Sequence, residues 1–382
     1  MSNSNFFTKS FDSGTLLKLK VFSGYYRNWI PVFLTKSDWK NQPQIYIYDF
    51  FAGAGNDANG NPGSPLLLLQ ELKNYCQENK RIRAEGVTPT ILFNDHDHKN
   101  IETLKEAVEK ERCPSNCCRI HYSEKEFHDA FIEALPTMQR NDTACLVIMD
   151  QYGIGQITED VIKALDKCPK TDFIFFISSD FLYRFRKQDS INRILDIGDC
   201  PYHDVHRKVC ERYKSFLPDE SDLRLAPFSI RKDNGNIYGI IFGSHHLLGL
   251  EKFLRVCWDI DQATGEANYD IDDDGSARDG QMDLFEKVTV KKQDKFESDL
   301  LSFIKIATDN MIVISSRDIY RFTLENGFLP THSSDVLKQK NKEQIITIKD
   351  KDFKKINNPR GLYLSSKYLY DKEHIVYFSW NK

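Results

Sequence analysis

Between residues 44 and 178 short apolar runs alternate with stretches of helical spacing. The runs are Gln44–Tyr48, Thr88–Phe93, Arg119–Tyr122, Ala144–Met149 and Phe173–Ser178. Helices are expected between them at about 66–78, 99–110 and 159–165. Ser64 is a good N-cap for the first, with Pro65 tolerated in its opening turn. Ser123 and Glu126 form a capping box for a further helix. Strand-then-helix order demands crossover connections. The expected fold class is therefore α/β: a Rossmann-like, doubly wound, mostly parallel sheet.

The flanks divide the chain. Residues 1–43 read as an N-terminal helical arm with an apolar face that includes Leu19, Phe22, Tyr26 and Trp29, closed by Pro43. Residues 44–258 form the core, with 181–235 as a helical insertion, then a strand at 237–242 and a helix at 247–258. Residues 259–295 are an acidic loop and linker, with Asp at 259, 261, 270, 272, 273, 274, 279 and 283. Residues 296–382 begin with a helix and continue as helix (317–325), turn at Leu329-Pro330, helix (333–341), strand (344–348) and strand (376–380). That order is winged-helix-like.

Several classes are excluded. Aromatic residues are 12% of the 382, too many for a disordered chain. The longest apolar runs, such as Phe173–Ile177 and Ile237–Phe242, fall far short of the ~20 residues a membrane helix needs. No basic segment leads into an apolar one at the N-terminus, so no signal peptide is expected. Nine scattered cysteines, an odd number, read as reduced thiols of a cytoplasmic protein. No G-x-S-x-G elbow supports a hydrolase.

The segment Ile45-Tyr-Ile-Tyr-Asp49-Phe-Phe51-Ala-Gly53-Ala-Gly55 ends a strand in an acid and continues in a turn of small residues. In a doubly wound sheet, ligands bind outside the carboxyl ends of the strands. Small residues let the backbone approach such a ligand. The spacing D-x-F-x-G-x-G is close to the first motif of S-adenosylmethionine-dependent methyltransferases. It lacks the third glycine of dinucleotide enzymes and the Gly-Lys-Ser/Thr of phosphate loops. The second run ends in Asn94-Asp95-His96-Asp97; Asp95, with Asp97 in reserve, is placed to accept both hydroxyls of a ribose. The fourth delivers Met149-Asp150-Gln151-Tyr152-Gly153 to the same edge, an acid followed by an aromatic. Amino-group methyltransferases hold a flipped base there with an acid and a stacking ring. Here Gln151 stands where such segments have proline.

Taken together, the chain resembles the three-Cys-motif partner (TcmP) family. The resemblance is carried by Leu16-x-x-Leu19 with Tyr25 and Trp29, Tyr48-Asp49-Phe-Phe-Ala-Gly-Ala-Gly55, and Gly63-Ser64-Pro65-Leu66. Met149-Asp150-Gln-Tyr-Gly153, Gly249-Leu-Glu-Lys-Phe253 with Trp258, and Asp318 to Pro330 complete it. It implies a class I methyltransferase-like core with S-adenosyl-L-methionine as cofactor. It also implies a companion protein with a three-cysteine, radical-S-adenosylmethionine-like motif. The expected cofactor-binding set is Asp49, Phe51, Gly53, Gly55, Ser64 and Asp95; Asp150 and Tyr152 face the acceptor. The expected activity is methyl transfer to nucleic acid. The alternative is a non-catalytic cofactor- or nucleotide-binding partner in a two-component modification or defence system.

No metal site is expected. Cys113, Cys117, Cys118 and His121 are irregularly spaced, and Cys200, His203, His206 and Cys210 mark one face of a helix. Asp270-x-Asp272-x-Asp274 begins like a calcium loop, but Arg278 and Gln281 stand at its ninth and twelfth positions. His245-His246 follows a strand and is expected near the strand-end edge. The net charge of −4 is uneven: Thr331–Lys382 holds 11 Lys+Arg against 6 Asp+Glu, a net +5, so the rest carries −9. A basic terminal region fits contact with DNA or RNA phosphates.

Overall fold

The computed structural model describes residues 10–35, 43–79, 84, 86–111, 117–151, 153–272, 291–357, 359 and 361–381. Two compact units divide the chain, 1–252 and 253–382.

The first unit is built on seven strands: β1 (Gln44–Asp49), β2 (Thr90–Asn94), β3 (Arg119–Ser123), β4 (Thr143–Met149), β5 (Thr171–Ile177), β6 (Arg224–Arg231) and β7 (Ile237–Ser244). Their order is β3-β2-β1-β4-β5-β7-β6. The first five are parallel, and β7 runs antiparallel to both β5 and β6. This is the doubly wound, mostly parallel sheet expected. Every residue of β4 is buried, as a central strand covered on both faces requires. The crossovers carry α2 (Ser64–Glu78), α3 (His98–Glu111), α4 (Phe127–Met138) and α5 (Glu159–Asp166). Right-handed connections put α2 and α3 on one face and α4 and α5 on the other.

α1 (Ser13–Leu34) is capped by Asp12, whose Oδ1 accepts the Thr15 N–H at 2.7 Å, and packs on α2. It stops at Leu34, well before the expected Pro43. It is pinned to the sheet by Asp172, the second residue of β5: Tyr25 Oη and Trp29 Nε1 both donate to Asp172 Oδ2, at 2.7 and 3.0 Å.

Three local expectations need correction. Gly63, not Ser64, is the N-cap of α2; Ser64 lies inside the first turn, its hydroxyl engaged elsewhere. Ser123 caps nothing: it pairs with Asn94 in the β2–β3 ladder, and Glu126 precedes α4 without a side-chain cap. The 181–235 segment is not wholly helical. α6 (Ser179–Phe185), α7 (Asp189–Asn192) and α8 (Val205–Lys214) give way to β6. Pro227 disguises β6, because proline argues against a central strand. At a sheet edge its missing N–H leaves no ladder bond unmade.

α9 (Leu247–Ile260) runs through the boundary between the units. The second unit orders α10 (Lys292–Asp309), β8 (Ile314–Ser315), α11 (Ser316–Glu325), α12 (Pro330–Lys342), β9 (Ile346–Lys349) and β10 (Tyr377–Trp380). Its antiparallel sheet has the order β8-β10-β9. A capping box opens α11: the Ser315 N–H donates to Asp318 Oδ2 at 2.8 Å. Leu300, Ile304, Ile319, Leu337, Ile348 and Phe378 form its core. Asp273, Asp274, Asp279 and Asp283 of the acidic segment lie outside the described residues. Among the described residues no helix is long and apolar enough to cross a membrane.

Candidate functional site

The strand order reverses between β1 and β4, the switch point outside which doubly wound sheets bind ligands. Register fixes what meets there. Asp49 lies opposite Phe93 of β2 and Ile148 of β4. Asp95 and Asp150 each follow two residues beyond those partners, so three adjacent strands release a carboxylate at one edge. The turn after β1 is tied to both neighbours: the Phe50 N–H donates to Ile148 O (3.1 Å) and the Ala52 N–H to Asn94 O (2.9 Å).

Gly53 and Gly55 have φ of 62° and 90°, left-handed conformations that glycine takes without strain. Gly55 is also constrained from behind. A Cβ there would sit 2.9 Å from Leu104 Cδ1 on α3, so any larger residue would have to push that buried side chain aside as well as take the left-handed φ. Gly53 turns its N–H to Asp95 Oδ2 at 3.0 Å.

Asp49 is buried, accepting the Ser64 hydroxyl at 2.7 Å and the Phe51 N–H at 3.3 Å. Burial, reinforced by the negative charges of Asp150 and Asp95, pushes its carboxyl up to about 7 despite those two bonds. Asp95 is buried too. Its Oδ1 accepts the Asp97 N–H (2.9 Å) and Asn100 Nδ2 (3.1 Å). With the Gly53 bond, three of about four acceptor positions on that carboxylate are used within the chain. Asp97, the reserve, caps α3 by accepting the Lys99 N–H at 2.9 Å.

Asp150 forms an ion pair with Lys18 of α1, whose side chain is only 10% exposed. The Lys18 ammonium also stands 4.7 Å from the centre of the Phe176 ring. Tyr26, two turns further along α1, is fully buried near Asp49 and Asp150. Burial and then those two charges push its phenol well above its ordinary value. Its hydroxyl has no hydrogen-bond partner among the described residues. Lys18 and Tyr26 are the site residues that sequence reading missed. The available signal was the spacing of Lys18, Phe22 and Tyr26, one helix face bearing a lysine inside an apolar stripe.

The edge therefore gathers Asp49, Gly53, Gly55, Ser64, Asp95 and Asp150. The Phe51 ring stacks on Phe127 of α4, centroids 5.1 Å apart. Gln151 is buried and closes the β4–α5 loop, its Oε1 accepting the N–H groups of Gln156 (3.0 Å) and Ile157 (3.3 Å). Tyr152 lies outside the described residues.

Other clusters resolve differently. His245 and His246 follow β7, and because β7 is antiparallel they emerge at the amino edge of β5, opposite the expected one. His206 is fully buried. Its Nε2 donates to Ile240 O (3.0 Å), so Nδ1 accepts the Ser179 hydroxyl (2.8 Å), and burial pushes it down to about 4. That is a packing histidine. Cys113, Asp274, Arg278 and Gln281 lie outside the described residues. Among the described residues the donors that converge as a metal site could require are His98, Glu102 and Glu124, all exposed. Lys105 already donates to Glu102 at 2.6 Å.

The sequence matches no family model, and no curated protein matches it. Solved structures of similar shape include the O-methyltransferase TomG from Streptomyces achromogenes, in complex with S-adenosylmethionine (10% identity, TM-score 0.31, 64% of this chain and 100% of that one). Spermidine synthase from Thermotoga maritima is similar at 12% identity and TM-score 0.33, over 63% of each chain. Trm1 from Pyrococcus horikoshii, solved with S-adenosyl-L-methionine, is similar at 9% and 0.37, over 62% of this chain and 56% of that one. The match thus spans less than two thirds of the latter two proteins.

Proposed function

We propose that this chain is a methyltransferase that uses S-adenosylmethionine and acts on nucleic acid. The observation that supports this reading is the convergence of Asp49, Asp95 and Asp150 at the switch point of the sheet. With Asp150 held by Lys18, Asp95 and the ionised form of Asp49 make an edge suited to a cationic ligand. When bound there, S-adenosylmethionine supplies a methyl group activated on a positively charged sulfonium. The residues fit such a group. Asp95 keeps an acceptor position for a ribose hydroxyl, the Gly53 turn offers close backbone, and Tyr26 offers a buried donor in want of an acceptor. Asp150, at the end of β4, is the acid on the acceptor side, where orientation matters more than a strong base.

The second unit supports a nucleic-acid substrate. Its order of helices and antiparallel strands suits a winged helix. The loop after β9 exposes Lys351, Lys354 and Lys355 around Phe353.

One observation favours a second reading. Lys18 already neutralises Asp150, and Gln151 replaces the proline of base-holding segments. In that reading the chain binds the cofactor without transferring methyl groups and serves a three-Cys-motif, radical-S-adenosylmethionine-like companion. Calorimetric titration with S-adenosylmethionine tests the common premise: binding by the wild type, lost in Asp49→Ala, is expected. No binding by the wild type would sink both readings, and binding that survives Asp49→Ala would sink the site. Tritium transfer from labelled cofactor into DNA, RNA or protein then separates enzyme from partner.

A further inference from the structure

We infer that α6 and the segment after it, 181–194, form a stacking platform for single-stranded nucleic acid beside the acceptor end of the sheet. The inference rests on the methyltransferase reading for its purpose, though not for its geometry.

Position comes first. β5 is parallel to β4, with Phe175 opposite Met149, so α6 leaves β5 at the same edge where Asp150 leaves β4. The surface is unusual for this unit. Among its described residues five large apolar side chains are exposed: Leu16, Ile132, Phe181, Phe185 and Ile194. Three of the five fall within this one short segment. Phe181 and Phe185 are one helical turn apart on α6, and their rings adjoin with centroids 4.7 Å apart. Leu182, on the other face, is fully buried, so the helix is anchored while both rings stay out.

Cations interleave with the rings. Arg184 is held by Asp180 (3.1 Å) and Asn236 (2.6 Å), and Arg186 lies over the Tyr183 ring at 4.0 Å. Lys187 and Arg193 are exposed and make no ion pair among the described residues. Burying this patch against an apolar protein surface would strand both charges. A nucleic-acid strand satisfies both features: bases stack on aromatic faces, and phosphates take the cations. Only unpaired bases present a free face, so the occupant is single-stranded, or a base already turned out of its stack.

Fluorescence anisotropy with the full chain tests this, using unstructured DNA and RNA oligonucleotides of about 16 nucleotides and the matching duplexes. The wild type is expected to prefer single strands of at least one sugar type. Phe181→Ala with Phe185→Ala is expected to weaken binding about tenfold or more, with an unchanged thermal midpoint. Lys187→Gln with Arg193→Gln is expected to lower the slope of log affinity against log salt by about 1.4. Should the phenylalanine variant unfold, this second variant carries the test alone. Equal affinity in folded variants, or a preference for duplex, would overturn the inference. Ring-dependent binding without methyl transfer would instead overturn the methyltransferase reading. Methyl transfer with an unchanged KM in the phenylalanine variant would overturn only the platform.

Discussion

Asp49 holds its proton through a range where most carboxylates are ionised. Its carboxyl titrates near about 7 in the fold, against ~3.9 in an unfolded chain. Below pH ~4 both states are protonated and the group's contribution to stability is fully present. Between pH ~4 and about 7 the unfolded chain has released a proton that the folded chain still binds, so stability falls across that window and levels off above it. Asp49→Asn is expected to remove that slope, read as urea midpoints against pH. The same ionisation sets ligand affinity: a cationic cofactor binds the charged form, so binding tightens as pH approaches about 7 and flattens above it. Lys18 raises a different issue. Removing it leaves Asp150 largely buried without its counter-charge, and Lys18→Met is expected to cost about 2–3 kcal/mol. Lys18→Met with Asp150→Asn recovers most of that in a double-mutant cycle read by denaturant unfolding.

At the scale of elements, α1 does more than cover the sheet. One end is tied to Asp150 at the carboxyl edge and its middle to Asp172 at the amino edge, so the helix stands across the site as a fixed wall. Asp172→Ala takes the acceptor from Tyr25 and Trp29 at once and is expected to cost about 2–4 kcal/mol. Hydrogen exchange is expected to quicken along α1 first, and S-adenosylmethionine affinity to fall although no residue of the glycine turn has changed. Exchange rates in α1 equal to the wild type's would disprove this coupling. Gly55→Ala acts on the turn itself. It combines a left-handed φ with a Cβ 2.9 Å from Leu104 Cδ1, so a loss of about 2–3 kcal/mol in unfolding free energy is expected. Most elements of the first unit were legible because strand and helix periods are local. β6 was not, because Pro227 is a breaker everywhere except at an edge, and which strand becomes the edge is a property of the whole sheet.

Over the whole molecule the net charge of −4 separates into a body at −9 and a terminal region from Thr331 at +5. Lys340 and Lys351 of that region are paired with Glu297 and Glu373, so the charge available to a polyanion is smaller than the count suggests. Lys354 and Lys355 are exposed without ion pairs among the described residues. Lys354→Glu with Lys355→Glu is therefore expected to weaken duplex binding by the full chain several-fold at low salt and little at high salt. Binding unaffected at low salt would remove the nucleic-acid role proposed for the second unit. What the amino-acid sequence determined by itself was the α/β alternation, the small-residue turn after Asp49 and the acids that end neighbouring strands. Each is written in residues close together in the chain, where periodicity and turn chemistry act. Tertiary structure alone decided the rest. It set Lys18 on Asp150 across 132 residues, sent His245 and His246 to the far edge by reversing β7, and buried Tyr26 beside two carboxylates. Local periodicity announces that a helix has an apolar face; only the packed sheet determines what that face is laid against.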